Sequence, residues 1–325
     1  MRKVAALLSV LSIALTGCSG SKKEAVEAKP LDPALYGRFY ATAGPSESQS
    51  DLYEAQFHSE GRLFLFQLSS NGRTFGVDGC RSALTVDVAG RDVDFQDALR
   101  QFDSGNTVGI DGLPDPKGAL MSVAPDCRVL FLRLDRTTTP PTGRLMMFDP
   151  ATKNVRELHA GSSDRALGIS DWGPDGRVAV FEGTQATEGH PSLATGIVVI
   201  APDGSKRTVA SPVSELGTLQ WSASKLMAIS DEVNRKTVFL DVDSGARSEL
   251  PGWFPLAWSP DGKRLIVTDA TSRKALGLVD VADVTKARVI GQTKDVSFVD
   301  LLWLPENARA GGGPPVPGRR PDEGN

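Results

Sequence analysis

One short motif recurs along the chain at nearly constant spacing, and it limits the fold more than any bulk property does. Its clearest copy is Trp258-Ser259-Pro260-Asp261-Gly262-Lys263-Arg264, followed by the apolar run Leu265-Ile266-Val267. Pro260 presets φ for a turn, Asp261 can bond its own backbone, and Gly262 tolerates positive φ. With apolar residues on both sides, the motif predicts a tight hairpin whose first strand ends at Trp258. Trp172-Gly173-Pro174-Asp175-Gly176-Arg177 repeats it closely, and Val123-Ala124-Pro125-Asp126-Cys127-Arg128 keeps the Pro-Asp and the basic residue. Phe75-Gly76-Val77-Asp78-Gly79-Cys80-Arg81 keeps Asp-Gly, and Trp303-Leu304-Pro305-Glu306-Asn307 keeps the aromatic, the proline and an acid. Trp221-Ser222-Ala223-Ser224-Lys225 starts the same way and then degenerates.

The anchors Phe75, Val123, Trp172, Trp221, Trp258 and Trp303 are 48, 49, 49, 37 and 45 residues apart. A strand–turn–strand unit repeated every forty-odd residues predicts an all-β propeller, one four-stranded blade per repeat. After Trp172, Trp221 and Trp258, and after Val123, three further apolar segments follow in each case. The last two of each set are joined by a polar turn such as Asp149-Pro150-Ala151-Thr152, Pro202-Asp203-Gly204-Ser205 or Asp243-Ser244-Gly245. Trp303 ends an inner strand, but only a Gly/Pro-rich charged tail follows it. Three strand-like segments stand unclaimed at the other end: 36–41, 51–57 and 63–68. They are expected to close the last blade beside Val299-Asp300-Leu301-Leu302-Trp303, leaving 75–112 as one blade. The count is six blades, with seven the alternative.

The N-terminus carries an address. Arg2 and Lys3 precede a short apolar stretch from Val4 to Leu15, the plan of a secretory signal. Leu15-Thr16-Gly17-Cys18 resembles a bacterial lipobox, which implies cleavage after residue 17 and acylation of Cys18. Acyl chains contribute roughly 0.8 kcal/mol per buried CH₂, so several on one cysteine anchor a protein stably. The implied organisation is a lipoprotein signal peptide over 1–17, a lipidated tether over 18–35, the propeller over 36–307 and a disordered tail over 308–325. Ser19, where lipoproteins retained at the inner membrane often carry Asp, leans toward an outer membrane if the host has one. The formal charge of −4 becomes −6 once Arg2 and Lys3 are removed, leaving 34 basic against 40 acidic side chains, and gives no reason to expect nucleic acid. Cys80 and Cys127 are the two remaining cysteines of a chain expected to leave the cytoplasm. They fall just after Asp78 and Asp126 in successive repeats, so a disulfide across one blade junction is expected, the alternative being two buried, unpaired thiols.

The W-S-P-D-G-K pattern, with its later aliphatic strand and Asp-Ser-Gly-type turn, resembles the repeats of TolB-type propellers, most strongly over 123–291. The resemblance implies fold and leaves function open, because such propellers serve as binding platforms, accessory domains and enzymes. TolB-type proteins carry an α/β domain ahead of the propeller and no lipid anchor. A short tether takes that place here, so their partnership with peptidoglycan-associated lipoprotein does not carry over.

Chemistry is sparse. The three histidines are His58, expected in a hairpin turn, His159, expected just after a strand, and His190, in the long loop Glu182 to Thr195. No metalloprotease, thiol-redox, nucleophile-elbow or phosphate-loop motif is present. The Asp-Gly pairs read as turn chemistry rather than calcium sites, and no cofactor is implied. Two loops, Asp135 to Gly143 and Glu182 to Thr195, exceed what the fold needs and are expected on one face. Trp253, the one tryptophan outside the anchors, is expected in a blade connection on that face. Together with His190, Thr138 and Thr139 it forms the candidate binding rim, unless Trp253 packs on its own blade. The favoured function is a non-catalytic, lipid-anchored module that binds an envelope protein or glycan. The alternative is a propeller hydrolase or lyase acting on sugars or lactones. Lactonase-type enzymes of this shape would need a Glu, Asn and Asp metal set on the inner strands, and no such set can be identified.

Overall fold

A computed structural model describes residues 34–304, apart from 47–48, 59–60, 70–71, 76–83, 88–98, 101–108, 111–118, 125–127, 136, 150–151, 153, 186–192 and 216. The chain is a β-propeller. It opens with β1 (Arg38–Ser46), β2 (Gln49–His58) and β3 (Arg62–Ser69), followed by the antiparallel pairs β4 (Gly72–Phe75) with β5 (Leu84–Asp87) and β6 (Leu99–Arg100) with β7 (Gly109–Ile110). Complete blades then follow. The first is β8 (Ala119–Val123), β9 (Val129–Asp135), β10 (Thr142–Asp149) and β11 (Asn154–Ala160). The second is β12 (Arg165–Trp172), β13 (Val178–Thr184), β14 (Ala194–Ile200) and β15 (Lys206–Ala210). The third is β16 (Leu219–Trp221), β17 (Leu226–Asp231), β18 (Lys236–Asp241) and β19 (Arg247–Pro251). The fourth is β20 (Trp253–Trp258), β21 (Arg264–Asp269), β22 (Ala275–Asp280) and β23 (Asp283–Gln292). The last strand, β24 (Ser297–Leu304), pairs with β1, and the sheet order β24-β1-β2-β3 closes the ring with N-terminal strands as the unclaimed segments predict.

In the weakest repeat, expected as one blade over 75–112, the described residues form two pairs of strands, β4 with β5 and β6 with β7, and the segments between those strands lie outside the described residues. Strand β4 packs against β24, β1 and β2, in the sixth position of the ring.

Each blade is apolar on both faces, which explains the unbroken runs in its middle strands. Leu265 and Val267 pack with Phe239 of the preceding blade, whereas Ile266 between them packs with Phe39, Phe57 and Trp303 of the closing blade. Five anchors are the last residue of their strands and Trp303 the last but one of β24, all at one end of the ring, hereafter the anchor-turn face.

The motif chemistry becomes legible there. Trp172 is buried against Leu130 and Leu145 of the preceding blade, and Trp221 against Ala179 and Phe181. The basic residue that ends one repeat lies over the tryptophan of the next, with Arg128 4.7 Å from the Trp172 ring centre and Arg177 5.0 Å from that of Trp221. Gly173 leaves room for that contact, since a Cβ there would stand 2.4–2.6 Å from the Trp221 ring. At the closure, Tyr36 takes the place of the arginine, its ring 5.7 Å from Trp303.

Candidate functional site

The loops joining second and third strands, and the connections to the next blade, emerge opposite the anchor turns and form the rim. One interblade contact there is direct: Arg273 of the β21–β22 loop meets Glu232 of the β17–β18 loop at 3.4 Å. Asp residues tie these loops. Asp135 accepts from the backbone N–H and hydroxyl of Thr137 at 3.1 and 2.6 Å, which with Arg144 holds its carboxyl below the usual range. Burial pushes Asp269 up, yet backbone donors from Ala275, Ser272 and Lys274 outweigh it and hold the group at about 2.

The rim candidates separate on inspection. Thr138 is a strut: its hydroxyl donates to the Asp135 carbonyl at 3.0 Å and accepts from Thr142 N–H at 3.1 Å. Thr139, Pro140 and Pro141 are exposed beside it. Trp253 does not sit in a connection. It opens β20, is half-buried, and its ring lies against Gly277 of its own blade, where a Cβ would stand only 3.0 Å away. The exposed apolar side chains on the rim are instead Leu193 and Val233, 50% and 56% exposed. Val233 lies in a two-blade variation that sequence reading passed over: Asp231-Glu232-Val233-Asn234-Arg235-Lys236 aligns with Asp269-Ala270-Thr271-Ser272-Arg273-Lys274. Both arginines adopt positive φ, 52° and 55°, and both carbonyls accept from the start of the next blade, Gly252 N–H and Phe298 N–H. His190 of the candidate rim lies outside the described residues, as do Cys18, Cys80 and Cys127.

His58 ends β2, with its ring edge-on to Phe64. His159 lies within β11 rather than after it, because the strand runs on to Ala160. There it meets Glu182 at 3.3 Å, whose other oxygen meets Arg165 at 3.3 Å, and Lys206 approaches the second ring nitrogen at 3.4 Å. This network bridges the first and second complete blades.

A second polar constellation lies on the inner strands. Ser122, Asp171 and Gln220 each immediately precede an anchor. The Asp171 carboxylate accepts from the Ser122 hydroxyl at 2.6 Å, from Trp172 N–H at 2.8 Å and from Trp221 N–H at 2.8 Å, joining β8, β12 and β16. Gln220 continues the sequence by donating to the Leu256 carbonyl of β20 at 2.7 Å, and Trp258 Nε1 donates back to the Gln220 carbonyl at 3.2 Å. Burial pushes Asp171 up to about 6, opposed by those three donors. Chemically this arrangement fastens strands: the Asp171 carboxylate is held by three donors from three adjacent inner strands. Polar residues just before three successive anchors were the available signal for it.

Among the described residues, no group of three or more His, Cys, Asp or Glu side chains is placed to hold a metal ion, and no helix is long and apolar enough to cross a membrane. No protein family matches the sequence, and no curated protein matches it. Solved structures do. TolB from Acinetobacter baumannii is similar at 18% identity and a TM-score of 0.53, over 85% of this chain and 68% of that one. A chain of a nidogen/laminin complex is similar at 14% identity and a TM-score of 0.51, over 82% of this chain and 97% of that one. At such identities the likeness is one of fold, and the fold is the propeller.

Proposed function

We propose that this chain is an exported lipoprotein, anchored through Cys18, whose propeller binds an envelope protein or glycan through its rim without catalysing a reaction. The observation that carries the reading is the division between the two faces. On the anchor-turn face the described tryptophans and arginines of the motif are spent on packing one blade to the next. On the rim, Val233, Leu193 and the 139–141 segment project unpacked apolar surface among loops stiffened by Asp turns. Stiff loops bearing exposed apolar groups bind with little ordering cost. The likeness to a chain of a nidogen/laminin complex supports testing a protein ligand first.

The test uses the mature lipoprotein in envelope extracts, comparing wild type with Val233→Asp, Thr139→Asp and, on the opposite face, Asp203→Lys. Loss of the same ligand in both rim variants, with retention in the third, is the expected result. A stoichiometric, tightly bound divalent ion, or turnover of a lactone or uronide panel, would overturn the non-catalytic reading. Cys18→Ser is expected to release the protein from membranes or to leave it unprocessed, and unchanged acylation in that variant would refute the anchor.

A further inference from the structure

Both ends of the described chain leave the propeller on the same face, and one of them is clamped. Leu35 is buried in the cluster that holds Trp303. The Tyr36 carbonyl accepts from Trp303 Nε1 at 2.6 Å, the Tyr36 hydroxyl donates to Asp261, and Arg264 donates to the Ala34 carbonyl at 3.1 Å. Asp261 and Arg264 belong to the anchor motif itself, and β1 starts at Arg38 paired with Leu304, the last described residue. Ala34 therefore leaves from the anchor-turn face at a fixed point, and no described terminus lies on the rim.

We infer that the protein stands on its anchor-turn face, with the rim turned away from the bilayer; this rests on the proposed acylation of Cys18. Sixteen residue steps separate Cys18 from Ala34, a reach of at most roughly 55 Å. With the anchor-turn face toward the lipid, almost none of that reach is used. The opposite posture requires the tether to pass outward beneath β2 and β3, about 10 Å at two strand spacings plus side chains, and then up the wall. An eight-residue strand such as β24 is about 26 Å tall, so the detour consumes roughly 40 Å in all. Drawing the tether that taut costs chain entropy. The ligand of the rim is then one that approaches from the side away from the anchoring membrane, such as a wall glycan or a partner protein, and not a component of the anchoring leaflet.

The posture is measured by energy transfer from a donor dye to rhodamine-headgroup lipid in vesicles carrying the mature lipoprotein. The dye is placed at Asp203→Cys on the anchor-turn face or at Val233→Cys on the rim, with identically treated wild type as the blank for native cysteines. Quenching at position 203 is expected to be at least about twofold stronger than at 233, given a height near 26 Å. Equal quenching, or stronger quenching at 233, overturns the inference. Inserting about twenty Gly/Ser residues between positions 33 and 34 is expected to erase most of the difference, because the detour no longer tightens the chain. An undiminished difference in that variant would refute the tether argument. Protein that fails to float with vesicles overturns the lipoprotein reading alone. The posture is then measured on protein coupled through the Cys18 thiol to a maleimide lipid, with the dye clicked onto an azide-bearing residue at 203 or 233 in place of the cysteine, and the same two outcomes decide it.

Discussion

The titration of Asp171 should be readable in the stability of the whole propeller. Its carboxyl is raised from 3.8 to about 6 by burial, against the pull of Ser122, Trp221 N–H and Trp172 N–H. A raised folded-state value means that the native protein binds the proton more tightly than the unfolded chain does. The contribution is therefore complete below about pH 4 and is lost as pH rises through about 6. Two pH units correspond to roughly 3 kcal/mol, a ceiling because Asp171 as a residue is only half-buried. Asp171→Asn removes the titration while keeping an acceptor for one indole-bearing residue's N–H and a donor that can turn to the Ser122 hydroxyl. Urea unfolding at pH 4.5, 6 and 7.5, followed by tryptophan fluorescence, should show wild type losing stability toward neutral pH relative to the variant, with the two converging in acid. Parallel profiles would show that the three hydrogen bonds outweigh burial and that the group titrates at an ordinary value. Asp269 works with the opposite sign: held at about 2, it contributes above the ordinary carboxylate range and loses that contribution only in stronger acid.

Trp303→Ala should cost roughly 3–5 kcal/mol by thermal or urea unfolding, whereas half-buried Trp253→Ala should cost about half as much; equal losses would contradict their different burial. Gly173→Ala should cost about 1–3 kcal/mol because the new Cβ overlaps the Trp221 ring, and Gly204→Ala only about 1, from φ strain with nothing near its Cβ. Arg235→Gly should raise stability by up to about 1 kcal/mol by relieving positive φ, while Arg273→Gly should not, since it also loses Glu232 and the Phe254 ring. Mass analysis of unreduced protein should find Cys80 and Cys127 joined, and two alkylatable thiols would refute the bridge.

How much of this was legible depends on whether a residue's role is local or crosses between blades. The turn at 258–264 was readable because Pro260, Asp261 and Gly262 act on their own backbone: Asp261 accepts from Ser259 Oγ at 2.7 Å and Lys263 N–H at 3.1 Å, and Gly262 has φ 66°. The closure was readable by subtraction, because Trp303 lacked three strands and the N-terminus had three to spare. Roles across junctions were not readable. Nothing in Arg128 or Gly173 alone tells that each serves the tryptophan of the next repeat, Trp172 and Trp221, 44 and 48 residues away. Trp253 misled for the same reason: its pocket is made by the absent side chain of Gly277, which sequence shows only as a strand glycine. The weak repeat after Phe75 has no proline or tryptophan to fix its hairpin, so the motif alone does not set its register.

If the proposed binding role holds, the same contrast puts specificity on the rim. The described residues that repeat from blade to blade, such as Trp172, Trp221, Arg128 and Arg177, hold blades together, and they concentrate on the anchor-turn face. Arg273 and Arg235 occupy equivalent left-handed positions, and each carbonyl fastens the next inner strand, so the backbone conformation is structural in both. Their side chains part company. Arg273 is held by Glu232 and lies over Phe254. Arg235 is exposed, with no partner among the described residues, beside exposed Val233. Glycine would satisfy the backbone at lower cost, so an unpartnered arginine there has no structural account. Departures from the repeat of this kind, together with the longer loop at 135–142, lie on the rim. A recognition surface made from a repeating scaffold is expected where the repeat stops serving the scaffold.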